Sequence, residues 1–160
     1  MATTASTQGP PRRMRRQAML FRIVNVPMRR VLGLPFRTPL SANLMLLYLT
    51  GRRTGKSYRQ PVSYVRDGDT LLTPGGGKWK LNLVPGRPEK IRLAGRDVQA
   101  RPDIVAEAGE VDRLLMIMTE KNPRSAGFIP IPRREDGHFG QAGLATAIGG
   151  GFRIIRWRLT

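Results

Sequence analysis

The chain has no cysteine and only one histidine among its 160 residues. Disulfide staples, thiolate metal centres and thiol nucleophiles are therefore excluded, and a His-rich metal site cannot form. A Ser–His–Asp triad would rest on His138 alone, which follows Asp136-Gly137 in a polar turn and reads as a surface-loop residue without a role. Acidic residues are also scarce. There are 11 against 28 lysines and arginines, a net charge of +17, and none precedes Asp67. Such a surplus implies an anionic partner (nucleic acid, an anionic bilayer or an acidic cofactor) and says nothing about fold. Aromatics make up only 6% of the chain and no RNA-binding signature is present, so a specific nucleic-acid reader is not expected. Lack of cysteine fits a cytoplasmic, reducing compartment.

What is present fits one globular domain, with apolar and charged content of 40% and 24%. Residues 1–11 are small and polar, end in Pro10-Pro11, and read as a disordered tail. Residues 12–40 form a basic segment in which Met19, Leu20, Ile23, Val24 and Val31 share a face at helical spacing, opposite arginines. Pro27 is expected to interrupt this helix, and Pro35 and Pro39 to end the segment. Arg22, Asn25, Pro27 and Arg29 cut every apolar run, which excludes a membrane span. Two readings stay open for residues 12–34: a helix packed on the domain, or a peripheral contact with the inner face of the cell membrane.

Residues 41–160 read as the main folded domain, whose cofactor-binding character rests on two turns within it and on the family resemblance they carry. The run 44–50 predicts a strand buried on both sides, and 60–66 a strand whose early proline suits a beginning or an edge. Asp67-Gly68 signals a hairpin returning through 70–73, and Ala94-Gly95 a second hairpin joining 90–93 to 96–101. A helix is expected over 103–121, regular from Glu110 and stopped by Asn122-Pro123. Residues 123–151 read as loop with a short helical turn, and 152–159 as a last strand. About six antiparallel strands with few helices fit a small closed or split β-barrel of α+β class, because closure removes exposed sheet edges.

Two turns carry the chemistry. Gly51-Arg52-Arg53-Thr54-Gly55-Lys56 gathers three cations, a hydroxyl and two flexible backbone positions, suited to phosphate oxygens. It is not a Walker A loop, since only three residues separate its glycines. Thr73-Pro74-Gly75-Gly76-Gly77 is the second. Consecutive glycines are entropically costly, so the backbone is expected to lie against something, such as a flat ring; a plain surface loop is the alternative. Trp79 and Asn82 follow at helical spacing, with Trp79 either walling that site or filling the core.

The run GRRTGKSYRQPVSYVRDGD, followed by TPGGGKWKLNL, resembles the deazaflavin (F420)-dependent nitroreductase family of the flavin/deazaflavin oxidoreductase superfamily. The shared pattern is a G-R-x-[ST]-G turn, an Arg and a Pro opening the next strand, a D-G hairpin, a glycine turn and W-x-x-N-L. The resemblance implies a split barrel that binds coenzyme F420, a phosphorylated deazaflavin with a polyglutamate tail, with FMN the alternative. By position, Arg52, Arg53, Thr54, Gly55, Lys56 and Arg59 would hold phosphate and tail. Pro61, Val62 and Ser63 would lie beside the cofactor, and Thr73, Pro74, Gly75, Gly76 and Gly77 would line its ring, with Trp79 and Asn82 in support. Nitro-reducing members carry a C-terminal tyrosine near the substrate. The tyrosines here are Tyr48, Tyr58 and Tyr64, so that activity does not carry over, and no acid or base is assigned. The implied function is hydride transfer to a hydrophobic acceptor such as a quinone, by a monomer or a homodimer. A non-catalytic cofactor or lipid carrier, an FMN-using relative, and last a basic nucleic-acid module are the alternatives.

Overall fold

The computed structural model describes residues 26–129 and 131–160, the side chains of 127 and 128 excepted. The tail 1–11 and the basic residues 12–25 lie outside the described residues.

Seven strands form one antiparallel sheet: β1 (Leu44–Thr50), β2 (Ser57–Ser63), β3 (Val65–Asp67), β4 (Thr70–Gly75), β5 (Glu89–Leu93), β6 (Arg96–Val105) and β7 (Arg153–Leu159). Their order is β2-β1-β5-β6-β7-β4-β3. The two edge strands, β2 and β3, are separated in sequence by Tyr64 alone. An open flat sheet would hold those edges far apart, so the sheet must curl until its margins meet. The expected single strand over 60–66 is thus one bent strand. Its first part pairs with β1 (Leu44 opposite Ser63) and its second with β4 (Val65 opposite Leu72). Counted this way, six strands close the ring. Tyr64 holds the corner: its N–H donates to Asn43 O at 3.0 Å and its hydroxyl to Ser41 O at 2.9 Å.

Beyond that corner the barrel is split. β2 pairs only with β1, and Thr73–Gly75 of β4 pairs only with β7. The 3-10 helix Lys78–Asn82 lies beside this opening, with Trp79 half-buried against the barrel's inner cluster. That cluster contains Leu47, Leu49, Leu71, Ile91, Ile155 and Trp157. The Trp157 ring is fully buried, and its indole N–H donates to Thr73 Oγ1 at 3.2 Å.

A second cluster covers the barrel's outside, where Leu72, Val105 and Ile154 meet two helices. The described helical residues 26–32 are α1; α2 is Ala108–Lys121 and α3 is Gln141–Gly149. The residues that would precede an interruption at Pro27 lie outside the described ones, and the described helical residues run from Val26 to Leu32. Two expectations need correction. Residues 103–105 extend β6, because Ile104 and Val105 pair with Ile155 and Ile154; α2 then starts at Ala108, capped by the Glu107 carboxylate, which accepts from the N–H of Gly109 and of Glu110 at 2.8 and 2.7 Å. Within 123–151, α3 is a full helix. Only Leu144 of it is buried, and a small-residue helix with so little amphipathy leaves no periodic signal.

Candidate functional site

The turn 51–56 joins β1 to β2 at the split end of the barrel. Gly51 N–H donates to Lys56 O at 2.9 Å and Gly55 N–H to Gly51 O at 2.8 Å. Gly55 sits at φ +67°, where a side chain would be strained. Thr54 organises the turn from within: its Oγ1 accepts from Lys56 N–H at 3.3 Å and lies over Gly51, where an added Cβ would approach it to 2.7 Å.

Asn82 fastens the short helix to this turn. Its Oδ1 accepts the Arg52 N–H at 2.9 Å, while its Nδ2 donates to the Tyr58 hydroxyl and to Trp79 O. One amide side chain therefore bridges the two chemistry-bearing stretches across the split. Between them opens a cleft of about 370 Å³, lined by Gly51, Arg52, Arg53, Thr54, Lys78, Leu81 and Asn82. Its charged groups are all cationic, and neither Arg52 nor Arg53 has an ion-pair partner among the described residues. Leu81 is half exposed and supplies an apolar wall, with the exposed Val84 close by in sequence. Lys80 turns the other way. Its ammonium donates to Gly77 O at 2.9 Å, and burial, with Arg153 nearby, pulls its pKa below the usual lysine value.

The glycine turn is shaped in part by the protein's own packing. An added Cβ at Gly77 would lie 2.6 Å from Trp79 Cδ1, and one at Gly75 would lie 3.0 Å from Arg153 O. Two of the three glycines are therefore required by the protein's own packing. Only Gly76 faces open space. Trp79 is half-buried over this turn, so it serves core and turn together.

The other expected residues divide. Arg52, Arg53, Thr54 and Asn82 meet in the cleft, with Gly55 and Lys56 in the same turn; Lys56 is exposed beside the cleft. Arg59 points elsewhere: its guanidinium lies 5.6 Å from the Tyr48 ring, where Lys90 Nζ also sits, at 4.6 Å. Val62 belongs to the inner core and Pro61 is buried. Ser63 is half-buried opposite Leu44, and Pro74 is half-buried in register with Ile154. Thr73 is fully buried and its hydroxyl is engaged by Trp157, so its side chain cannot line a ligand. Lys78, Leu81 and Tyr58 were not singled out, although the K-x-x-L-N spacing places Lys78, Leu81 and Asn82 on one face of a short helix. His138 is exposed, as expected of a loop residue, but not idle: its Nδ1 lies 2.9 Å from the Asp112 carboxylate and ties its loop to α2.

A family model described as F420H(2)-dependent quinone reductase matches residues 20–126. No curated protein matches the chain. Among solved structures, one described as a domain-swapped dimer aligns at 12% identity and TM-score 0.49, covering 89% of this chain and 98% of its own. A second, described as an F420-H2 dependent reductase (FDR-A), aligns at 14% identity and TM-score 0.47, covering 72% of this chain and 93% of its own. Both likenesses are too distant to assign a role to any residue.

Proposed function

Since the chain belongs to the F420H(2)-dependent quinone reductase family, we propose that it reduces a quinone-like acceptor with a hydride from reduced F420, bound through the cleft at the split. The observation that carries this reading is the cleft itself. Three cations and an apolar wall converge there, held in place by the Asn82 bridge. Such a lining fits an anionic phosphate and acidic tail attached to a planar ring.

Arg52, Arg53 and Lys78 would hold the phosphate and tail, the two guanidiniums as bidentate forks and the lysine as a point charge. The open backbone at Gly76 would lie against the ring. Leu81 and Val84 would shield ring and acceptor from water. When bound, the deazaflavin supplies the two-electron hydride chemistry. The chain's own contribution is placement: the Asn82 bridge joins turn and short helix, so that the backbone carrying the positive groups is held in place before a ligand binds.

An apolar acceptor suits a peripheral membrane position, and residues 12–34 supply the basic amphipathic segment for it. In its described part Val26 and Arg30 are exposed. No helix among the described residues is long and apolar enough to span a membrane. Failure to co-sediment with anionic vesicles at low salt would remove this membrane component.

The cofactor reading is tested by titrating the protein with oxidised F420, followed by fluorescence, with FMN in parallel. Micromolar or tighter binding of the deazaflavin alone is expected. Preference for FMN would overturn the cofactor assignment and keep the barrel.

A further inference from the structure

A second cavity lies at the opposite end of the barrel. It measures about 710 Å³, and its walls include Phe36, Leu93, Val98 and Leu159 on the apolar side and Arg37, Arg66 and Arg96 on the charged side. Its place in the fold follows from register. The cleft at residues 51–54 follows the last residue of β1, whereas Leu93 follows Arg92, which pairs with Leu46 near the first. The bonds from Tyr64, another wall residue, reach Ser41 and Asn43 just before β1 begins. Seven residues of strand put the two sites about 20 Å apart.

The walls are built, not incidental. Phe36 lies directly on the β5–β6 turn, where Gly95 adopts φ +81° and an added Cβ would come within 2.6 Å of the Phe36 backbone. Arg92 reinforces the same segment by donating to Gly33 O. Phe36 nevertheless stays 58% exposed and forms part of the cavity wall.

The charge is the more telling feature. Arg37, Arg66 and Arg96 have no ion-pair partner among the described residues, and no carboxylate lines the cavity. Both Arg37 and Arg66 act electrostatically on the half-buried Tyr64 hydroxyl, so they share its neighbourhood. The N-terminal residues cannot neutralise them, since no Asp or Glu precedes Asp67. Three guanidiniums without carboxylate partners thus share the walls of one cavity, and their summed potential favours an anion there.

We propose that this cavity is a second ligand site, binding the anionic head and first methylenes of an amphiphile, with Arg37, Arg66 and Arg96 on the head and Phe36, Leu93, Val98 and Leu159 on the chain. The head is a phosphate or carboxylate; its source is either a lipid of an anionic bilayer or a free amphiphile. The site is independent of F420 binding, and its failure would leave the cofactor reading untouched.

The experiment is calorimetric titration of the full chain with dodecyl phosphate below its micellar concentration, and with inorganic phosphate. Dodecyl phosphate is expected to bind, and inorganic phosphate to bind far more weakly. Arg66→Gln with Arg96→Gln should weaken dodecyl phosphate by roughly tenfold for each guanidinium removed, with F420 affinity unchanged as a check on folding. Arg52→Gln with Arg53→Gln should change it far less. Equal loss in both double variants would mean generic attraction to a +17 protein and would overturn the proposal, as would equal affinity for the two phosphates. Anionic vesicles then separate the sources: weaker vesicle binding by the Arg66/Arg96 variant supports a bilayer lipid, and unchanged vesicle binding supports a free amphiphile.

Discussion

Arginine serves opposite purposes on the two flanks of this barrel. On the helix-covered flank, Arg156 of β7 donates to Asp103 at 2.7 Å and to Glu110 at 3.2 Å, while Arg113 donates to Glu110 at 2.6 Å. The Arg156–Glu110 bond ties α2 to the sheet, the Arg156–Asp103 bond joins β7 to β6, and the Arg113 bond within α2, with both guanidiniums close by, holds the Glu110 carboxyl below its usual pKa. On the split flank, Arg52 and Arg53 face a cleft with no carboxylate in its lining. A paired arginine positions chain segments. An unpaired cluster raises local potential, gives nothing to the fold and becomes favourable only when an anion binds. The difference separates charge kept for architecture from charge kept for a ligand.

The contrast is broken most sharply by exchanging what each set is asked to do. Arg52→Ala with Arg53→Ala should lower F420 affinity by about 100-fold, about 3 kcal/mol for two charge-assisted contacts, and leave the urea midpoint unmoved. Unchanged affinity would dismiss the cleft as the phosphate site. Asn82→Ala should affect both quantities. It strips the Arg52 N–H and the Tyr58 hydroxyl of a partner, so a stability loss of about 1–3 kcal/mol should accompany weaker binding. Full stability in this variant would show that the split is held by apolar packing alone. Arg156→Gln should behave as the mirror image of the cleft variant, losing about 1 kcal/mol in urea with F420 affinity intact, since its partners are partly exposed and screened.

The same division explains what the sequence could reveal. Strands and hairpins were legible because their signals are local: apolar run, D-G turn, A-G turn. The cation-rich turn was legible for the same reason, and the residues at 51–54 indeed meet at a cleft. Closure at Tyr64 was less visible, since one bent strand serving two neighbours looks like a single strand. Val62 and Thr73 illustrate the main limit. A motif places them next to the site along the chain, but a strand alternates faces, and both side chains turn inward. The triple glycine carries more than one cause: Trp79 and the carbonyl of Arg153 account for Gly77 and Gly75, and only Gly76 is left open to a ligand.

Acid titration offers the gentlest probe, because two carboxylates near one another in sequence respond with opposite sign. The hydrogen bond from Arg92, with Lys90 adding to it, holds Asp97 down to about 2 from an ordinary 3.8. A depressed folded-state pKa gives stability that is present above about 3.8 and is lost as pH falls through about 2. Glu89 works the other way. Burial raises its pKa above 4.5 despite the neighbouring Arg87, so its contribution is present below 4.5 and is lost as pH rises past it. The windows do not overlap. Asp97→Asn should therefore flatten the decline in stability between about pH 4 and pH 2, and Glu89→Gln should flatten the decline above about pH 4.5, each followed by urea midpoints. The Asp97 effect should be small and should shrink in high salt, because the pair is partly exposed. Arg52→Ala with Arg53→Ala should leave both slopes unchanged, since those guanidiniums hold no carboxylate of their own. A shift of the acid slope in that variant would place a hidden carboxylate in the cleft and erase the distinction between the two flanks.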